Sequence, residues 1–160
     1  MSDHLIKGDC LSSKVHFQLL PPARWRLLHA FYKRNHYDGF PRSGETVAVL
    51  LLLQKQVLAV ARVTRQANER VIRGVWVDHG YRRIGYGQKL LACMAQEGWL
   101  SNGYCFAEAG LGQFYEAAGF RYLADQEAPK PIQVLKARCQ AVDKPLLIFR
   151  YDVQAFTDDK

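Results

Sequence analysis

Long apolar runs are scarce in this chain. The longest, Val47 to Leu53, is far short of the roughly 20 residues that cross a bilayer, and Met1-Ser2-Asp3-His4 lacks the apolar stretch of a signal peptide. The expectation is a soluble, cytoplasmic protein with no membrane partner. Cysteine is sparse and unpaired in pattern: Cys10, Cys93, Cys105 and Cys139 form no Cys-x-x-Cys motif, and His4, His16, His29, His36 and His79 do not approach them at zinc-site spacing. Free thiols and no metal cofactor follow from that. Repeats, low-complexity tracts and linker-like segments are also missing, so residues 1–160 read as a single domain, long enough to bury a core with its 49% hydrophobic content. The formal net charge is +7, but the basic residues are scattered and lack the aromatic signature of an RNA-binding surface. A polyanionic small molecule is therefore the better partner, and nucleic acid the weaker one.

What the chain does have is Arg82-Arg83-Ile84-Gly85-Tyr86-Gly87, placed between an apolar run, Val71 to Val77, and an amphipathic stretch, Gln88 to Trp99. This reads as a glycine-rich turn from strand to helix. The first N–H groups of a helix have no intrahelical acceptor and carry the positive end of the peptide dipoles. Gly85 and Gly87 let an anion approach that backbone without a Cβ in the way, while Arg82, Arg83 and Lys89 add full positive charge. The expected ligand is a pyrophosphate or several phosphates. A P-loop is excluded, because no Gly precedes a Gly-Lys-Ser/Thr string at its spacing, and the dinucleotide fingerprint fails where its third glycine would be Leu90.

The spacing that fits is Arg/Gln-x-x-Gly-x-Gly/Ala after a Val-x-Val strand, met by Arg82, Gly85 and Gly87. Further along, Phe114-Tyr115-Glu116-Ala117-Ala118-Gly119-Phe120 matches Phe-Tyr-x-x-x-Gly-Phe. With both segments in this order, the chain resembles the GNAT (N-acetyltransferase) superfamily from Thr46 to about Tyr122, and more loosely to Tyr151. That resemblance implies an α/β fold with a central mixed, mostly antiparallel sheet flanked by helices. It also implies acetyl-coenzyme A as co-substrate. Val75, Trp76 and Val77 would face the pantetheine arm, and Arg82, Arg83, Ile84, Gly85, Tyr86, Gly87 and Gln88 would hold the pyrophosphate.

A pass along the chain agrees with such a fold. Lys14 to Leu20 alternates like a half-buried strand, and Pro21-Pro22 opens a helical segment carrying Trp25, Leu28, Phe31 and Tyr32. Thr46 to Leu53 and Val57 to Thr64 form a hairpin about Gln54-Lys55-Gln56, and Ala67-Asn68-Glu69 leads into Val71 to Val77. Gly74 inside that strand marks a bulge or a tight approach; in the family a bulge there splays the strand so that pantetheine can enter. After the turn come a helix, a strand at Gly103 to Ala107, a short helix at Gly112 to Ala118, and a strand at Phe120 to Ala124. Residues 129–142 read as an inserted helix that departs from the family pattern, before a last strand at Pro145 to Tyr151.

The chemistry implied is direct transfer of an acyl group from a thioester to an amine on a small molecule or protein. Tyr115 matches the tyrosine that many relatives place near the coenzyme sulfur as an acid. The base is less determined, because Val71 to Val77 carries no carboxylate. Glu108 is the leading candidate, with Asp78 and His79 behind it. His36, Tyr37 and Asp38 are candidates for acceptor contact. Cys105 has no histidine positioned to activate it, which disfavours a covalent intermediate. A non-catalytic acyl-coenzyme A sensor is the alternative reading, and a homodimer is compatible with either. The acceptor and the length of the acyl chain are left open.

Overall fold

The computed structural model describes residues 13–140 and 144–152. The expectations about the first twelve residues, and about the end of the 129–142 segment, fall outside that range. Seven strands, β1 (Val15–Leu19), β2 (Thr46–Leu52), β3 (Gln56–Gln66), β4 (Glu69–Val77), β5 (Gly103–Ala107), β6 (Phe120–Leu123) and β7 (Leu147–Tyr151), form a mixed sheet in the order β1-β2-β3-β4-β5-β7-β6. The α-helices that lie within the described residues include α1 (Leu27–Arg34), α2 (Tyr86–Gln96), α3 (Gly112–Ala117) and α4 (Lys130–Cys139). The described residues fall into two compact units: 13–62 with 74–90, and 63–73 with 91–140 and 144–152. β3 and β4 pass through both.

In the first unit, Val47 to Leu51 is buried at every position, as a strand covered on both faces requires. β1 runs antiparallel to β2 with Val15 opposite Leu52 and Leu19 opposite Ala48. Leu28, Phe31 and Tyr32 of α1 pack on Val47, Val49, Val57 and Val60. The helix starts later than its apolar spacing suggests, because Pro22–Arg24 first forms a tight 3-10 turn in which Trp25 N donates to Pro22 O. The hairpin between β2 and β3 also differs from expectation. Lys55 N donates to Leu52 O at 3.1 Å, and the two central residues, Leu53 and Gln54, have φ of 54° and 61°. That is the backbone of a type I′ turn, which favours Asn-Gly rather than Leu-Gln.

The second unit is built on a short parallel contact. Arg70 pairs with Gly103 and Val71 with Tyr104, while β7 lies antiparallel to both β5 and β6. Gly103 is required there: a Cβ would strike Ile72 Cδ1 and come within 2.9 Å of Leu100 O. The inserted helix is observed as α4. Its Ile132 is buried with Val71, Tyr104, Leu123 and Ile148, and Lys136 is tied to Asp125 at 2.7 Å, so α4 is part of this core.

Replacing Leu53 by Asn and Gln54 by Gly should stabilise the protein by about 1–2 kcal/mol, since a left-handed backbone costs most residues about that much. Equilibrium urea unfolding of the double variant measures the gain.

Candidate functional site

The end of β4 is held by α1. Asp78, almost wholly buried, receives Arg34 Nε on Oδ2 at 2.6 Å and Gly80 N on Oδ1 at 3.2 Å, and its own N–H donates to Leu58 O. Arg34 Nη2 also donates to Val57 O at 2.8 Å. Asn35 completes the clamp: its Nδ2 donates to Phe31 O, and its Oδ1 accepts His79 N at 2.8 Å. Asp78 is thus a helix cap and ion-pair partner with both carboxylate oxygens engaged. His79 lies exposed, with Nδ1 3.3 Å from Asn35 Oδ1.

From this fixed point the chain makes the expected turn. Residues 79–81 form a 3-10 turn, Arg82 is extended, and Arg83 and Gly85 are left-handed at φ of 66° and 93°. Lys89 N donates to Gly85 O at 2.9 Å, which ties the turn to the start of α2. No acidic residue sits in that first turn, and nothing lies within 4 Å of a Cβ placed on Gly85. The glycine therefore serves the backbone conformation and leaves open space above it. Arg82, Arg83 and Ile84 are exposed, Gln88 is half-buried, and Tyr86 is buried near Tyr81. Arg82 is not loose: its Nε donates to Val77 O at 3.0 Å, and its guanidinium lies 5.1 Å from the centre of the Trp76 ring.

Val75, Trp76 and Val77 are half-buried on β4. Just before them, Gly74 has φ of 62°, an abrupt change of backbone inside a strand. A Cβ there would meet Arg62 Nε at 2.8 Å and the Tyr37 hydroxyl at 3.1 Å, so the absent side chain makes room for both.

Arg62 and its surroundings are a feature that no local motif announces. The sequence signal is a single arginine within the apolar run Val57 to Val63. Its Nη1 donates to Phe40 O and to Glu45 Oε1, each at 3.2 Å, and its Nη2 donates to the Tyr37 hydroxyl at 3.2 Å. Burial works against this cation, but the Tyr37 oxygen and the Glu45 carboxylate outweigh it and raise its pKa. Tyr37 also stacks on Tyr32, with centroids 4.8 Å apart, and leans on Trp76 at 5.1 Å. Three buried polar atoms in this cluster have no hydrogen-bond partner among the described residues: Tyr32 Oη, Arg62 Nε and Trp76 Nε1. Of the loop residues expected near an acceptor, Tyr37 belongs to the cluster, whereas His36 and Asp38 are exposed.

Tyr115 and Glu108 belong to the second unit. Tyr115 is buried on α3, stacked on Phe149 at 5.8 Å and edge-on to Phe114 and Phe120. Glu108 is exposed just past β5, where its carbonyl accepts Leu111 N at 2.9 Å. Cys105 is buried, and burial pushes its thiol pKa up, which keeps the sulfur protonated and unreactive. Among the described residues no three His, Cys, Asp or Glu side chains group as metal ligands, and no helix is long and apolar enough to cross a membrane.

Residues 44–122 match the family model for the acetyltransferase (GNAT) domain. Among solved structures, the chain is similar to an acyl-CoA N-acyltransferase from Pseudomonas aeruginosa, with TM-score 0.62 and 17% identity over 86% of this chain and 99% of that one. It is similar to the ribosomal-protein-S18-alanine N-acetyltransferase of Escherichia coli, with TM-score 0.60 and 16% identity over 84% and 91% of the two chains. A third likeness is to N-acetylglutamate synthase from Neisseria gonorrhoeae complexed with coenzyme A and L-arginine, with TM-score 0.61 and 15% identity over 86% of this chain and 33% of that one. No curated protein matches by sequence.

Two outcomes follow from the geometry. Asp78→Ala should cost roughly 2–3 kcal/mol, through loss of a charged hydrogen bond and a cap, measured as a lower urea midpoint. The Tyr32 phenol, pushed up to about 12 by burial, is neutral in both folded and unfolded chains below its ordinary value of 10.0. Above that the unfolded chain ionises first, so stability falls as pH rises toward about 12. Tyr32→Phe should make that alkaline decline in Tm shallower.

Proposed function

Because the chain belongs to the GNAT superfamily, we propose that it transfers an acetyl group from acetyl-coenzyme A directly to an amine acceptor. The observation that carries this reading is the turn from Arg82 to Gln88, with left-handed Arg83 and Gly85 presenting the open N-terminus of α2. The backbone N–H groups of residues 83–88, with the Arg82 and Arg83 cations, hold the pyrophosphate. Val75, Trp76 and Val77, half-buried just after the left-handed Gly74, offer their backbone to the pantetheine amides.

Catalysis then consists mostly of holding the two reactants together. Glu108, exposed to solvent, takes the proton from the acceptor ammonium, directly or through water. The free amine attacks the thioester carbonyl and the carbon–sulfur bond breaks; the Tyr115 hydroxyl gives its proton to the departing thiolate and regains one, through water, from the nitrogen that becomes the amide. Cys105 takes no part, since its thiol is buried and protonated. The proposed acceptor is an amine on a small molecule or protein.

Calorimetry with coenzyme A and thiol release from acetyl-coenzyme A over an amine panel test this reading. Gly85→Glu, which strains the backbone and adds a negative charge, should weaken coenzyme A binding at least about a hundredfold, and Arg82→Ala about tenfold. Tyr115→Phe should lower kcat about ten- to a hundredfold while leaving coenzyme A affinity unchanged. Binding without thiol release across the panel would point instead to an acyl-coenzyme A sensor.

A further inference from the structure

The second unit carries a cleft that acyl transfer does not use. About 390 Å³ of space lies between α4 and the turn that joins β3 to β4, with Gln66, Ala67, Lys130, Ile132, Val134 and Arg138 in its lining. We infer that this cleft docks an extended segment of a partner protein in which one apolar side chain stands between two carboxylates, in the pattern Asp/Glu-x-Φ-x-Asp/Glu with Φ aliphatic or aromatic.

The floor of the cleft is apolar. Ile132 is buried in the core of the unit, while Val134 is left 43% exposed, so the recess presents apolar surface to water until something covers it. Ala67 adds a methyl group to the opposite wall, at φ of 50°, where Asn, Asp or Gly is usual in such a turn. The ends are cationic. Lys130 and Arg138 are exposed and enter no ion pair among the described residues, whereas Lys136 on the same helix is held by both oxygens of Asp125, at 2.9 and 2.7 Å.

Spacing then selects the ligand. Positions 130, 134 and 138 recur four apart on α4, so the two cations bracket Val134 and stand about 12 Å apart along the helix axis. A single small anion meets one of them only. In an extended peptide, side chains i, i+2 and i+4 share a face and the outer two stand roughly 13 Å apart, which is the same span. Other occupants fit less well. A two-fold mate of this chain would bring the cations of one α4 against those of the other, and a bilayer seats apolar side chains that protrude, whereas Ile132 lies at the bottom of a recess.

Fluorescence anisotropy of the full chain with labelled peptides of this pattern, Φ being Val, Leu, Ile or Phe, tests the inference. At least one peptide should bind with Kd below about 1 mM, and changing both its acids to Gln, or Φ to Ser, should weaken it about tenfold. Lys130→Glu and Arg138→Glu should each cost about tenfold, by removing one attraction and adding one repulsion, with Tm and coenzyme A affinity unchanged. Arg138→Glu should regain affinity for one of the two peptides in which a single end acid is replaced by lysine. The inference is overturned if no peptide of the series binds, if the Gln peptides bind as well, or if charge reversal on α4 leaves affinity unchanged. It is overturned equally if decanoate or phosphatidylserine vesicles bind with the same dependence on both cations, or if the protein forms a dimer that Val134→Asp dissociates. None of these variants lies in the turn from Arg82 to Gln88, so each of these failures leaves acetyl transfer standing.

Discussion

The buried carboxylate of Asp78 is the constraint from which the first unit is organised. It joins the last residue of α1, through Arg34, to the first peptide of the turn after β4, through Gly80. Because its N–H is also bonded to Leu58 O, β3 is fixed to the same point. Arg34 in turn reaches Val57 O, so a single ion pair ties a helix, two strands and a loop. The geometry of the residues that follow depends on that anchorage: a left-handed Arg83 persists only where its surroundings determine it.

Cations in this unit fall into two kinds. Arg34 and Arg62 point inward, each paired with a carboxylate and bonded to backbone carbonyls. They hold the architecture. Arg82 and Arg83 are exposed and make no ion pair among the described residues. The unit's exposed cations also include Arg26, Lys33, Arg42 and Lys55, but Arg82 and Arg83 are the ones that stand in the turn before α2. The division explains how a chain with a net charge of +7 can lack any basic tract: much of its arginine is structural.

The turn was legible because its signals are local. Glycine spacing, the preceding Val-x-Val and the amphipathic helix all lie within one short stretch, and β5 was read with its observed bounds, Gly103–Ala107. Features that depend on distant residues were not legible. Arg62 acquires its role only when β3, β4 and the segment from Tyr37 to Glu45 converge, and a lone arginine in an apolar run says no more than that a partner exists somewhere. The β2–β3 turn was displaced by a residue because Leu53-Gln54 carries none of the usual Asn or Gly marking. Tyr115 was identified by its motif, while its packing against Phe149 was invisible until β7 folded beside it.

The contact between Arg82 and Trp76 also has an optical consequence. The guanidinium sits over the indole at 5.1 Å, whereas Trp25 is hydrogen-bonded to Leu20 O and Trp99 faces Arg70. Any anion that draws Arg82 aside changes the electric field on one indole and leaves the other two alone. The emission of Trp76 is therefore a built-in reporter of occupancy at the turn, readable without a label.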